Sequence, residues 1–149
     1  MTLKKLQTDG RIKAHRTTKA ELDELRGGVE VKLKDSKSTA ISDDTRFTTA
    51  YGAALLLAKI ALACAGYRLD SKSGGHHKTA FDALPLSVGT SAKALATYFE
   101  VCRRKRNEID YDRAHVASRA DADEIVEKTE ELEALVEGWI KKNHSSLAR

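Results

Sequence analysis

The stretch that decides the fold runs from Ser42 to Gly66 and reads SDDTRFTTAYGAALLLAKIALACAG. Ser42 offers a side-chain oxygen to the free N–H groups of a first helical turn. Asp43 and Asp44 then set negative charge against the positive end of the helix dipole. From Phe47 onward, Tyr51, Leu55, Leu56, Leu57, Ile60 and Leu62 occupy nearly every face of a 3.6-residue period. Alanine and leucine, which dominate the run, are among the strongest helix formers. Gly66 is a natural residue for the left-handed stop. The spacing therefore predicts a helix to about Ala65 that is apolar all round. Such a helix is central in a bundle, or it touches both a core and a second subunit, and it is the first pointer to a homodimer.

Upstream, Thr18 and Glu21 have the spacing of a capping box, and Leu22, Leu25, Val29 and Leu33 recur at helical intervals. They predict an amphipathic helix over about 19–35, with Gly27-Gly28 as a weak spot, followed by a polar break at Asp35–Ala40. Residues 1–16 are mixed and basic, and predict a short turn of helix or an N-terminal arm. Downstream, Leu69–Gly75 is a loop rich in Ser, Gly and Lys. His77–Leu84 reads as a short helix halted by Pro85. Ser91 is placed to cap the next helix, whose inner stripe is Leu95, Tyr98, Cys102 and Ile109. Ser118 with Asp121 opens the last helix, where Ile125, Thr129, Leu132, Val136 and Trp139 fall at alternating four- and three-residue steps. No internal repeat or useful strand-like alternation is visible. The expected fold is all-α, an up-and-down four-helix bundle with an additional short helix, in a single domain over 1–149.

The composition agrees. A chain of 149 residues can bury one sizeable core, and 41% hydrophobic with 32% charged residues excludes disorder as the default. The net charge of +4 and isoelectric point near 9.1 permit a polyanionic partner without requiring one. Cys64 and Cys102 lie in apolar stretches without ligand-like spacing and read as small buried hydrophobes. No secretory leader is visible in the charged start Met1–Gln7. The run Ala53–Ala65 carries Lys59 and is too short to span a bilayer. The expectation is a cytoplasmic protein with no membrane, cofactor or metal requirement.

The densest positive cluster is Arg103-Arg104-Lys105-Arg106. A solvated helix end answering the negative dipole pole would explain it. At about 100° per residue, however, Arg106 falls between the directions of Leu95 and Phe99, at the edge of the buried stripe, with Arg103 expected to be more exposed. A guanidinium at that edge needs a carboxylate, carbonyls or a bound phosphate. Glu108, Asp110 and Asp112 stand close enough in sequence to supply the internal answer. His76 and His77, followed by Lys78, form a second candidate phosphate site. They lack a third ligand for a metal, and the bland alternative is a helix start with one ring packed inward.

The stretch Arg106-Asn107-Glu108-Ile109-Asp110-Tyr111 resembles the signature of the HEPN superfamily: an arginine usually followed by a polar residue, then four to six residues to a histidine. Ala50–Ala58 and Ala63–Arg68 resemble that family's long second helix and its glycine stop, and Gly75–Thr79 the start of its third helical segment. The resemblance covers roughly Ser42 to Ile140. It implies a helical bundle that usually dimerises, bringing two copies of the motif to a shared cleft. In active members that cleft cuts RNA without a metal. On this resemblance Arg106 is the phosphate contact and Asn107 its polar companion. The setting it implies is a toxin–antitoxin or stress-defence system, with an antitoxin or nucleotidyltransferase as partner.

The pattern departs at the histidine. A gap of four residues after Arg106 leads to Tyr111, gaps of five and six to Asp112 and Arg113, and His115 lies beyond the window. A phenol, with an ordinary pKa of about 10, is a poor base at neutral pH, yet a good hydrogen-bond donor to a phosphate. Three functions are therefore expected. The first is a HEPN-like module with a degenerate motif that binds RNA, a nucleotide or a partner through Arg106–Tyr111. The second is a metal-independent endoribonuclease toxin in which Arg106, Asn107 and Tyr111 act, or His115 assists. The third is a structural helper protein whose basic cluster pairs with its own acids.

Overall fold

The computed structural model describes residues 1–111 and 114–149. In chain order they form α1 (Leu3–Thr8), β1 (Ile12–Ala14), α2 (Lys19–Ser36), α3 (Asp43–Cys64), β2 (Tyr67–Leu69), α4 (His76–Val88), α5 (Lys93–Asp110) and α6 (Arg119–Asn143). Single 3-10 turns occupy Thr90–Ala92 and Ser145–Leu147. The fold is an all-α bundle.

The helix starts follow from local chemistry. Thr18, Ser42 and Ser118 each accept a hydrogen bond from the backbone N–H three residues on, and Asp121 returns the favour at Ser118 to close a capping box. Ser91, by contrast, caps nothing: the 3-10 turn places Ala92 at the N-cap of α5, with no side-chain cap bond.

α3 is the central element. Its buried face is nearly its whole circumference, from Phe47 and Tyr51 to Ile60 and Leu62, and it packs on α2, α4, α5 and α6. Its apolar character is thus answered within one chain. α3 is long and apolar enough to cross a bilayer, which the shorter run Ala53–Ala65 had not suggested, but 67% of its most apolar window is buried inside the bundle. Side-chain pairs fix the helix directions. Gly28 approaches Leu56 and Ser36 meets Arg46, so α2 and α3 are antiparallel. Lys105 lies over the Phe47 ring and Asp44 bonds the Ala117 N–H, so α5 returns along α3 in the opposite sense. Lys105 also reaches Asp121 and Lys128 lies over Tyr98, so α6 reverses again. The four long helices alternate in direction.

Two details depart from the sequence reading. The basic N-terminal segment forms the expected short helix, α1, but is folded onto the bundle rather than being an arm. Its strand β1 pairs antiparallel with β2, Ile12 opposite Leu69 and Ala14 opposite Tyr67, and buries Leu6 and Ile12 against Leu62 and Ala83. Three-residue strands are too short for alternation to announce them. The fourth helix also continues through Pro85 to Val88, where Gly89, with φ 117°, donates its N–H to the Pro85 carbonyl. One turn beyond the proline suffices to pack Leu86 and Val88, which offsets the lost Pro85 N–H.

Candidate functional site

An aromatic row crosses the bundle from α5 to α3. Phe99 stacks on Phe81 at 5.4 Å, Phe81 lies 5.8 Å from Tyr51, and Tyr51 lies 5.7 Å from the His77 ring. Tyr51 is buried, and its hydroxyl sits 3.2 Å from His77 Nδ1. This row carries the imidazole to the bundle edge, where the basic end of α5 arrives. The Arg106 guanidinium stands 6.0 Å over the Tyr51 ring, a cation–π geometry.

The electrostatics follow from the placement. Burial keeps the Tyr51 phenol protonated far above the ordinary range, against the opposing pull of Arg106 and Arg103. His77 is held below the ordinary imidazole range, by burial first and then by the positive field of Arg106, Lys59, Arg103 and His76. It is therefore neutral at pH 7. With the Tyr51 hydroxyl donating to Nδ1, His77 presents an Nε2–H donor; with Nδ1–H donating to the Tyr51 oxygen, Nε2 becomes an acceptor and a base. Nδ1 is thus engaged by Tyr51, and Nε2 has no partner among the described residues.

The remaining basic residues separate. Arg103 is less exposed than Arg106, at 25% against 33% of the side chain, reversing the sequence expectation. The reason is a fork onto Glu100 one turn earlier, with three contacts at 2.7–3.1 Å. Lys105 pairs with Asp121 at 2.9 Å, and Arg104 is exposed. Arg106 itself pairs with Asp110 at 3.1 Å, but Asp110 is 48% exposed, so this is a surface i,i+4 contact that an incoming phosphate can displace. Asn107 makes no side-chain hydrogen bond among the described residues, and Asp110, not Asn107, is the group that engages Arg106. Tyr111 is 82% exposed at the C-cap of α5 and makes no side-chain hydrogen bond or ring contact among the described residues. Asp112 and Arg113 lie outside the described residues. His115 is exposed, with φ 59°, beside Asp43 and Asp44 rather than beside Arg106.

His76 does not join His77. Its Nε2 meets the Asp70 carbonyl at 2.8 Å and the ring turns toward a different cleft, while Lys78 is taken up by Asp82. Cys64 and Cys102 are buried, their thiols pushed up to about 11 by desolvation, so neither is a thiolate at neutral pH. Among the described residues no group of three His, Cys, Asp or Glu side chains is placed to hold a metal ion.

Sequence reading missed the partnership of Tyr51 with His77, which is made by folding rather than by spacing. It also missed two buried guanidinium groups. Arg26 forks onto Glu137 at 2.8 and 2.9 Å and bonds Asp23 and the Leu147 carbonyl. Arg46 bonds Asp123, Asp43 and the Ser36 carbonyl. Both are consumed internally and tie helices together.

Fold and site together define an all-α helical bundle with a half-open cationic and imidazole cluster where α3, α4 and α5 meet. No family model, curated protein or solved structure matches the chain.

Proposed function

We propose that the protein is a HEPN-like helical module that binds RNA or a nucleotide phosphate at the cluster of Arg106, Arg103 and His77. The single observation that carries this reading is the Arg106 guanidinium: one-third exposed, seated on the Tyr51 ring, and paired among the described residues with the exposed Asp110. The neutral His77 adds a ring nitrogen on the same edge, and Arg103, engaged by Glu100, adds its positive field there. A phosphate there gains charge-assisted bonds without removing a buried ion pair. A toxin–antitoxin setting, a homodimer, and an antitoxin or nucleotidyltransferase partner belong to the same proposal by family resemblance, and a cytoplasmic location joins them from the charged character of Met1–Gln7. Fluorescence anisotropy with a labelled single-stranded RNA tests it. Arg106→Gln is expected to weaken binding about ten-fold, the value of a hydrogen bond to a charged group, while Arg104→Gln changes it less than about three-fold. Equal affinities for wild type and Arg106→Gln would remove the reading.

A second reading, a metal-independent endoribonuclease, is favoured by one specific observation. His77 is an imidazole held neutral at pH 7 beside Arg106, the position in space that Tyr111 does not supply. In the tautomer whose Nδ1–H donates to Tyr51, its Nε2 can take the proton of a ribose 2′-hydroxyl. Incubation with RNA in chelator separates the two readings. Cleavage that is lost in His77→Gln supports the enzyme, and intact RNA leaves the binding module.

A further inference from the structure

A cleft of about 380 Å3 opens between the start of α2, the second half of α3, β2 and the first residue of α4. Its floor is apolar, built from Leu25, Leu62, Ala63 and Leu69. Lys59 and Arg68 line it as well. Lys59 is the sole charged residue between Phe47 and Cys64, placed on the core helix where an aliphatic residue would pack. Neither Lys59 nor Arg68 has a carboxylate within ion-pair distance among the described residues. Lys59 is part-buried and Arg68 is exposed on β2, whereas the buried or part-buried arginines Arg11, Arg26 and Arg46 are each paired with an acid.

The cleft's one acid is already occupied. Glu21 accepts from Thr17 at 2.8 Å and meets His15 at 2.7 Å, and these bonds hold its carboxyl below the usual carboxylate range. It stays charged on the α2 side and feels the Arg68 charge through space without a direct ion pair, so the side-chain donors of Lys59 and Arg68 have no partner among the described residues. Two unpaired cations above an apolar floor, with one satisfied carboxylate opposite, suit a single anionic head on a hydrophobic body. The volume lies within the range of small-molecule sites.

From this we infer that the cleft binds a small organic anion, its carboxylate or phosphate head between Lys59 and Arg68 and its apolar body on Leu25, Leu62 and Leu69. The site is separate from the Arg106 cluster and does not depend on the function proposed there. Titration of 15N-labelled protein with 1-naphthoate, 1-naphthyl phosphate and neutral 1-naphthol, followed by amide shifts, tests it. The anions are expected to shift amides around Leu62 and Tyr67–Leu69, and the tighter of the two identifies the head group. Naphthol is expected to bind about ten-fold more weakly than the better anion. Lys59→Met, which keeps the stem length, and Arg68→Gln on the exposed strand are each expected to weaken the better anion by about the same factor. Arg106→Gln is expected to leave its affinity within about two-fold. Naphthol binding as tightly as the anions, no binding by either anion, shifts that map away from the cleft, or unchanged affinity in both variants would each overturn the inference. So would loss of binding in Arg106→Gln, which would place the anion at the other site.

Discussion

His77 and Tyr51 share one hydrogen bond and one environment, and the consequence is a titration with a definite sign. Burial and the cations of Arg106, Lys59 and Arg103 lower the imidazole pKa in the folded state. Between the ordinary value of about 6.5 and that lower one, the unfolded chain binds more protons than the folded chain. The stability owed to neutral His77 is therefore full above about pH 6.5 and is lost as pH falls toward the folded value. Proton NMR of the imidazole should place its midpoint below the ordinary value, and Arg106→Gln should move it upward. A midpoint indifferent to Arg106 would mean that the guanidinium does not face the ring. Arg26 carries a different expectation. Its fork onto Glu137 is buried at the arginine end, with only 4% of that side chain exposed. Arg26→Ala leaves a carboxylate without its partner and should lower unfolding free energy by about 3 kcal/mol in a denaturant titration. The sequence showed Arg106 at the edge of the buried stripe because helical periodicity fixes direction. It could not show that Tyr51 and His77, 26 residues apart, would meet there. Nor could it show that Arg26 would find Glu137 at a separation of 111 residues.

Among the elements, α2 is the most informative test of local against tertiary demand. Gly27 and Gly28 weaken the helix equally by propensity, yet their surroundings differ. A Cβ at Gly27 meets nothing within 4 Å, whereas one at Gly28 would stand 3.0 Å from Leu56 Cδ1 on α3. Gly27→Ala should stabilise the protein by about 0.8 kcal/mol, the ordinary cost of glycine in a helix. Gly28→Val should destabilise it, since the branch would drive α2 away from α3. Thermal unfolding of the two variants reads both signs, and a shift in the same direction would refute the close approach. The long helices α2, α3 and α6 were legible because the caps at Thr18, Ser42 and Ser118 agreed with the apolar spacing, and Gly66 marked the end of α3. The continuation of α4 past Pro85 was not, because packing of Leu86 and Val88 decides it. The sheet of β1 and β2 was hidden in six residues whose pairing is entirely tertiary. Lys59 was visible from the start as the one charge in an apolar run. Its meaning required the cleft.

For the molecule as a whole, α3 explains the arrangement. One helix apolar on all sides is surrounded by α2, α4, α5 and α6, so its faces are spent within the chain. The aromatic row from Phe99 through Phe81 and Tyr51 then links that core to the edge where Arg103, Arg106 and His77 converge. On the proposed reading, this edge grips a phosphate supplied from outside. RNA affinity measured across a salt series tests it most directly, because each phosphate neutralised contributes about 0.7 to the slope of log affinity against log salt for a single strand. The wild-type slope is expected to exceed that of Arg106→Gln by about 0.7, with the helical content of the two proteins unchanged. Identical slopes would contradict it.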